Sequence, residues 1–191
     1  MTEEQKAYIE QNVGLIENSE WKKFFEYAPE GTGLLLYKAQ VDFLADVSAI
    51  FTNMFYGSTI TEVDVPTNIK KIDRRAFFHC INLTTITIPD SVTFIGDGAF
   101  SGCTSLTSAV IPDNRMYISD SAFSNCSSLT SITIPESVTS IGDYAFKGCT
   151  SLKKIRFEGT QAQWRGIKYK PEAFDGKPVT YIQCSDGKVA L

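Results

Sequence analysis

Apolar and polar residues between positions 60 and 152 follow a pattern that repeats every 23 residues. Its clearest marker is an Ala-Phe pair, which occurs at Ala76-Phe77, Ala99-Phe100, Ala122-Phe123 and Ala145-Phe146. Two further ladders keep the same step, formed by Ile72, Ile95, Ile118 and Ile141 and by Cys80, Cys103, Cys126 and Cys149. Periods of about 20 to 50 residues are typical of solenoids, in which each unit buries its apolar face only by stacking on its neighbours. The pattern therefore predicts a solenoid of stacked 23-residue coils.

Within one repeat, the pattern predicts short strands joined by turns. Apolar and hydroxyl side chains alternate in residues 129–135, which indicates a half-buried strand. The strand ends at Pro135 because proline has no amide hydrogen to donate. Residues 136–142 predict a second short extended segment with two β-branched residues facing inward. Residues 144–151 predict a tight helical or 3₁₀ turn that places Phe146 in the core before the next coil begins.

The ends of such a stack need caps, because open strand edges and exposed apolar ladders invite aggregation. Residues 1–40 predict a helical N-terminal cap. Residues 41–159 are the predicted solenoid, and within it residues 41–59 form a degenerate first coil, because the five-residue gap between isoleucine and phenylalanine recurs there. Residues 160–191 predict a C-terminal cap made of helix and strand.

Local signals define this C-terminal cap. Thr160 and Gln163 have the spacing of a capping box, in which each side chain bonds the backbone of the other residue at the start of a helix. Trp164 and Ile167 then supply apolar side chains that can pack over the last coil. Residues 179–184 predict a terminating strand.

The net charge of −4 is unevenly distributed along the chain. Residues 1–59 carry nine acidic and four basic residues, residues 60–151 nine and six, and residues 152–191 four and eight, so the net charge runs from −5 through −3 to +4. The basic end contains a cluster formed by Lys153, Lys154, Arg156, Arg165, Lys168 and Lys170. This cluster favours either an acidic partner or a solvated cap surface. The acidic total and the lack of a recognition motif argue against a nucleic-acid partner.

No stretch of the sequence approaches the roughly 20 apolar residues that a membrane-spanning helix needs, so we expect no membrane insertion. The N-terminal sequence lacks the basic and apolar regions of a secretory signal, which predicts a cytoplasmic location. A secreted or cell-surface location is the alternative if a leader has been removed.

The cysteines lack the spacing of a disulfide framework or a zinc site. Four of the five occur once per repeat and predict an inward ladder of free thiols, which behave as small apolar side chains. His79 is the only histidine, and the motifs of nucleophilic, phosphate-binding and dinucleotide-binding enzymes are missing. We therefore expect a non-enzymatic protein with no catalytic, metal or cofactor site.

The repeat L-x-x-I-x-I-P-x-S-V-x-x-I-G-x-x-A-F-x-x-C-x-S closely resembles the BspA-like leucine-rich repeat. The tail from Phe157 to Val189 resembles the segment that often follows this repeat, so the resemblance covers about residues 60–189. It implies a leucine-rich-repeat solenoid. The family comprises surface proteins of bacteria and some protozoa, with bacterial and prophage members of unknown role, and it is implicated in adhesion and protein binding. No catalytic residues belong to its motif.

The outward-facing residues of the predicted strands are the first candidate for a binding surface. They form three columns: Thr61, Thr84, Thr107, Thr130 and Lys153; Glu62, Thr85, Ser108, Ser131 and Lys154; and Asp64, Thr87, Val110, Thr133 and Arg156. The surface grades from acidic through hydroxyl to basic, so a partner with the opposite gradient, or an antiparallel copy of the same chain, is complementary. Alternatively, threonine and serine simply suit exposed strand positions.

A second candidate surface lies in the third full repeat. In register, Arg115 replaces the inward residues Val92 and Val138, and an arginine must reach solvent or a carboxylate. Together with Phe94 from the preceding coil, the run Arg115, Met116 and Tyr117 predicts an aromatic and cationic patch of the kind enriched at protein interfaces. Drift of the repeat is the alternative explanation.

These observations predict a non-enzymatic module that binds another protein, with a homo-oligomer possible. One alternative is a bacterial or prophage-encoded inhibitor that covers the working surface of an intracellular enzyme or defence complex. A structural component of a larger assembly is the other alternative.

Overall fold

The computed structural model describes residues 48–58, 60–114, 117–176 and 179–191. The predicted helical cap in residues 1–40 and the boundary at residue 41 lie outside the described residues, as do Arg115 and Met116 of the predicted patch.

Each coil contributes two short strands, which confirms a solenoid of strands and turns. Along the chain they are β1 (Ala49–Ile50), β2 (Glu62–Asp64), β3 (Lys71–Ile72), β4 (Thr85–Thr87), β5 (Phe94–Ile95), β6 (Ser108–Val110), β7 (Tyr117–Ile118), β8 (Ser131–Ile134), β9 (Ser140–Ile141) and β10 (Lys154–Phe157). Among these ten strands, the even-numbered ones stack as one column of parallel strands, in which β4 lies beside β6. The odd-numbered ones form two groups of parallel strands, β1-β3-β5 and β7-β9.

Strand pairing keeps the 23-residue register that the sequence predicts. β2 pairs with β4 through Val63 opposite Ile86, and β8 pairs with β10 through Ile132 opposite Ile155. Between β4 and β6 the backbone amide of Thr107 donates to the carbonyl of Thr84 at 3.2 Å. Like residues therefore lie above one another throughout the column.

The odd-numbered strands show the same stacking, beginning with the predicted first coil. Ile50 in β1 lies opposite Ile72 in β3, which lies opposite Ile95 in β5. The first of these steps spans 22 residues and the second 23. Residues 48–58 therefore belong to the stack, one residue short of the regular period.

The segment between the second strand of one coil and the first strand of the next consists of turns. The helical or 3₁₀ conformation predicted for residues 144–151 is therefore wrong, whereas the predicted placement of Phe146 in the core is confirmed. In the second full coil, the amides of Ala99 and Ser101 donate within the coil to Gly96 and Gly98, whereas the amide of Phe100 donates to Ala122 of the next coil at 2.9 Å. This alternation ties adjacent coils together, because every second amide is left free for the neighbour.

A stack of phenylalanine rings runs through the core. Ring centroids are 5.1 Å apart for Phe55 and Phe77, 5.4 Å for Phe77 and Phe100, 5.3 Å for Phe100 and Phe123, 5.7 Å for Phe123 and Phe146, and 5.4 Å for Phe146 and Phe174. These rings are almost completely buried. Because each ring contacts the ring above and below, the ladder joins neighbouring coils through about 1.5–3 kcal/mol of side-chain burial per ring.

The cysteine ladder is buried and free, as predicted. Each thiol donates to the carbonyl of a phenylalanine in the preceding coil, for example Cys126 to Phe100 and Cys149 to Phe123, both at 3.1 Å. Burial raises the pKa of the Cys126 thiol well above its usual value, and it raises the pKa of Cys149 to about 12. The Cys126 and Cys149 thiols are therefore protonated hydrogen-bond donors in the folded chain.

The C-terminal cap begins with the predicted helix, α1 (Gln161–Gly166). The capping box forms: the Thr160 hydroxyl accepts from the Gln163 amide, and the Gln163 side chain accepts from the Thr160 amide. Trp164 is buried against Phe157, with ring centroids 5.4 Å apart, so the helix packs on the last coil as predicted. A short 3₁₀ helix (Pro171–Phe174) then places Phe174 at the end of the ring stack.

Two strands complete this cap, one more than the sequence predicts. The strand predicted for residues 179–184 is β11 (Tyr181–Cys184), which pairs in parallel with β10. A further strand, β12 (Gly187–Ala190), turns back and pairs antiparallel with β11. β12 therefore forms the edge of the sheet, and Cys184 is buried as expected for a closing strand.

Candidate functional site

The outward residues of the even-numbered strands form a continuous surface, which we call the strand face. It consists of Glu62, Asp64, Thr85, Thr87, Ser108, Val110, Ser131, Thr133, Lys154 and Arg156. Residues between them on each strand, such as Val63 and Ile86, are buried in the core. The sequence-predicted columns are therefore brought together in register, with Asp64 opposite Thr87 and Val110 opposite Thr133.

Opposite charges stand at the two ends of the strand face. Glu62 and Asp64 lie on β2, and Lys154 and Arg156 lie on β10, with exposed side chains at both ends. None of these four side chains forms an ion pair within residues 48–58, 60–114, 117–176 and 179–191. Their charges are therefore available to a molecule that lies along the strands.

The third predicted column, which begins with Thr61 and ends with Lys153, lies beside the strand face and differs from it chemically. The Thr84 hydroxyl donates to the Thr61 carbonyl at 2.8 Å, and the Thr107 and Thr130 hydroxyls repeat this bond one coil further on at 3.2 and 3.1 Å. These hydroxyls therefore fasten one coil to the next, and their protons are engaged within the molecule.

The C-terminal hairpin extends the strand face, a contribution that sequence analysis missed. Gln183 on β11 lies opposite Arg156, and Lys188 on β12 lies opposite Gln183. The Lys188 ammonium group lies 4.4 Å from the ring centroid of Tyr181, an exposed aromatic residue. The sequence signal for this placement is that Ile182 and Cys184 alternate with the more polar Tyr181 and Gln183. The basic end of the face is therefore wider than the repeats alone suggest.

Phe94 and Tyr117, from the second predicted patch, lie on the odd-numbered strands and not on the strand face. They are 44% and 43% exposed, so both rings are accessible. The Lys71 ammonium group lies 5.0 Å from the Phe94 ring centroid. The Tyr117 hydroxyl donates to an Asp120 carboxylate oxygen at 2.7 Å. Burial and this carboxylate raise the pKa of Tyr117, so its hydroxyl remains a donor.

A second aromatic group lies among the turns of the first coils, and sequence analysis missed it. The ring of Tyr56 stacks on Phe78 at 5.2 Å, and the guanidinium of Arg75 lies 5.2 Å from the Phe78 centroid. The His79 ring is tilted against Phe78, with ring centroids 4.5 Å apart, and its centroid lies 6.3 Å from that of Tyr56. The signal was a departure from the repeat, because later coils place serine or lysine where this coil has Phe78.

The predicted basic cluster is divided between two sides of the coil. Lys154 and Arg156 belong to the strand face, whereas Lys168 lies beside Ser140 of the odd-numbered strands. The Lys170 ammonium group bonds the Asp143 carboxylate at 2.6 Å, and this contact raises the pKa of Lys170. These basic residues therefore do not form one site.

Comparisons with known proteins agree with this architecture. Residues 48–180 match the BspA type leucine rich repeat region in six copies. Comparison with curated proteins gives no match. No helix within the described parts of the chain is long and apolar enough to cross a membrane, and the cytoplasmic location stays a prediction.

Several solved structures share the fold. A leucine rich cell surface protein from Faecalibacterium prausnitzii A2-165 is 35% identical with a TM-score of 0.63, and the alignment covers 65% of this chain and 33% of that one. A leucine rich repeat protein from T. pallidum is 35% identical with a TM-score of 0.56, covering 58% of this chain and 52% of that one.

The pneumococcal vaccine antigen PcpA, at 20% identity and a TM-score of 0.55, shows the fold alone; the alignment covers 74% of this chain and 38% of PcpA. The matches to the first two structures span about a third and about half of those proteins. With six repeat copies matched over most of its length, the chain belongs to the BspA-type leucine-rich-repeat family.

Proposed function

We propose that this chain is a non-enzymatic module that binds another protein through its strand face. The single observation that carries the proposal is the in-register sheet surface with exposed charges of opposite sign at its two ends. Such an arrangement favours a partner of opposite polarity and orients it along the stack. Membership of a repeat family whose structural neighbours include a cell surface protein supports a role in recognition.

The chemistry of the strand face suits a binding surface. Its centre carries small hydroxyl side chains around Val110, which is 61% exposed. Small side chains allow a partner to approach the sheet closely, and an apolar centre with a polar rim is typical of protein interfaces. The patch around Phe94 and Tyr117 is the second candidate surface, because both rings are exposed on neighbouring coils.

The proposal is tested by capturing proteins from an extract of the source organism with the immobilised full chain. Val110→Arg places a charge at the centre of the strand face, and we expect it to reduce capture of specific partners at least tenfold. Ile81→Arg is the matched control, because Ile81 is 51% exposed and lies in a turn outside the strand face. Ile81→Arg is expected to retain capture.

A third variant separates the two candidate surfaces. If Phe94→Ala with Tyr117→Ala abolishes capture while Val110→Arg does not, the binding surface lies on the odd-numbered strands and the strand-face proposal is wrong. Circular dichroism and thermal unfolding of every variant establish that the fold is retained, which is expected because all of these side chains are exposed.

A further inference from the structure

We propose that the strand face also pairs with the strand face of a second copy of this chain, with the two stacks running in opposite directions. This inference rests on the proposed function, because it assumes that the strand face is a recognition surface. The observation behind it is the order of charges along the even-numbered strands: acidic on β2, neutral on β4 to β8 and basic on β10.

The charged ends are equally distant from the middle of the face. β2 lies two coils before β6, and β10 lies two coils after it. With neighbouring strands about 4.8 Å apart, each charged end is about 10 Å from β6. Between β2 and β10 the face is thus antisymmetric in charge about β6, while Lys188 on β12 lies beyond this span. A two-fold axis through β6 brings each charged end opposite the end of opposite sign in the second copy.

Only one direction of the two-fold axis fits the charges. An axis parallel to the strands reverses the order of the coils but keeps each residue in its own column, so Asp64 meets Arg156 of the second copy. Glu62 meets Lys154 of the second copy in the same way. An axis along the stack would instead place each coil opposite itself, bringing the two acidic ends together. Repulsion between like charges excludes that arrangement.

The same axis places Val110 of both copies at the centre of the pair. Val110 is the most exposed large apolar side chain in the part of the chain that the structure describes, at 61%, and it interrupts a column of threonines. In the antiparallel pair, Val110 of one copy contacts Val110 of the other, and Thr87 contacts Thr133 of the second copy. An isolated apolar residue on an otherwise polar face therefore has a defined contact in this arrangement.

The size of the surface sets the strength of the association. Five strands about 4.8 Å apart, each spanning about three residues along its length, give a footprint roughly 19 Å by 10 Å. This is smaller than the roughly 800 Å² per partner buried in standard interfaces, so the pair is expected to form weakly. Because exposed ion pairs hold its rim, association is expected to weaken at least tenfold between 50 and 500 mM NaCl, as the Debye length shrinks below about 10 Å.

The test uses two charge-exchanged variants of the purified full chain, studied by sedimentation from 5 to 500 µM in 50 mM NaCl. Glu62→Lys with Asp64→Arg makes both ends of the face basic, and Lys154→Glu with Arg156→Glu makes both ends acidic. The unmodified chain is expected to dimerise, and each variant alone is expected to remain monomeric. An equimolar mixture is expected to dimerise about as tightly as the unmodified chain, because it restores the same number of contacts between opposite charges.

The control is Asp90→Arg with Glu136→Lys, which makes the same change of net charge as Glu62→Lys with Asp64→Arg, at exposed positions outside the strand face. It is expected to dimerise like the unmodified chain. A monomeric unmodified chain at 500 µM, or a mixture of the two variants that stays monomeric, would overturn the proposal. Sedimentation uses the purified chain alone and tests self-association, whereas capture uses an extract and tests binding of another protein. Failure of one experiment therefore leaves the result of the other unchanged.

Discussion

At the scale of single residues, the turns depend on positions where the backbone takes a positive φ. One column of such positions holds Arg75, Gly98, Ser121 and Tyr144, with φ between 54° and 61°. This left-handed region favours glycine, because any β carbon crowds the following carbonyl oxygen. The sequence does not show this requirement, since only one of the four positions is glycine, and for that reason a helical turn was predicted instead of these turns.

Within this column, a substitution to glycine is expected to raise the free energy of unfolding, and a substitution of the glycine is expected to lower it. Ser121→Gly relieves backbone strain and is expected to raise the free energy of unfolding by about 0.5–1 kcal/mol. Gly98→Ala is expected to lower it by a similar amount, because Gly98 has a φ of 61° although the nearest atom to an added β carbon is 3.5 Å away. Urea unfolding of both variants measures the two changes, and shifts of equal sign would contradict the explanation.

The buried Cys149 thiol makes the free energy of unfolding depend on pH in the alkaline range. The pKa of Cys149 is raised to about 12 in the folded chain, whereas an unfolded thiol has a pKa of about 8.5. The stabilisation is therefore complete below about pH 8.5 and is lost as the pH rises towards 12, at about 1.4 kcal/mol per pH unit for this one thiol.

Urea unfolding between pH 8 and 11 measures this dependence. Cys149→Ala is expected to give a shallower slope than the unmodified chain, since one titrating thiol is removed. Equal slopes in the two proteins would show that the Cys149 thiol does not contribute.

At the scale of elements, the 23-residue repeat predicts the strands of the stacked coils but not the extra strand of the C-terminal cap. Apolar residues at a fixed step identify the strands, because each must cover the same residue in the next coil. The C-terminal edge strand β12 was missed, because β12 pairs with only one neighbour and alternates partly buried and exposed residues without a repeat to mark it. The capping box of Thr160 was predictable because its signal is local.

Trp164 in α1 is expected to fasten the C-terminal cap to the stack. Its ring contacts Phe157, Tyr169 and Phe174 at centroid distances of 5.4, 5.9 and 6.4 Å. Trp164→Ala is therefore expected to lower the free energy of unfolding by about 3–5 kcal/mol. The control is Arg165→Ala in the same helix, whose exposed side chain is expected to change stability by less than about 0.5 kcal/mol. Similar losses in both variants would contradict a specific role for the indole.

At the scale of the whole molecule, the strand face was predictable but its surroundings were not. A period of 23 places the columns, and so the gradient from Glu62 to Arg156 follows from the sequence alone. The group around Tyr56 and Phe78 was missed because it joins residues from two coils that each depart from the repeat. Such a contact becomes visible only once the turns are placed in space.

The ring stack is expected to hold the whole molecule together through its middle. Phe123 contacts Phe100 and Phe146 on either side, so Phe123→Ala removes both contacts and is expected to cost about 3–5 kcal/mol. Since coils in a solenoid contact only their neighbours, the two halves are expected to unfold less cooperatively, with a smaller urea m-value. An unchanged m-value with the same loss of stability would show that the halves remain coupled.

The 23-residue register shared by β2, β4, β6, β8 and β10 also bears on how such a protein can evolve. Because each coil offers the next the same backbone bonds and the same buried ring, recombination between gene segments that encode two coils can delete or duplicate one unit without creating a new junction. The length of the molecule then changes in increments of about 4.8 Å. In the proposed antiparallel pair, a strand face with an odd number of strands has a strand on the two-fold axis, whereas a face with an even number has the axis between two strands. Gaining a single coil would therefore change which residues meet at the centre of the pair.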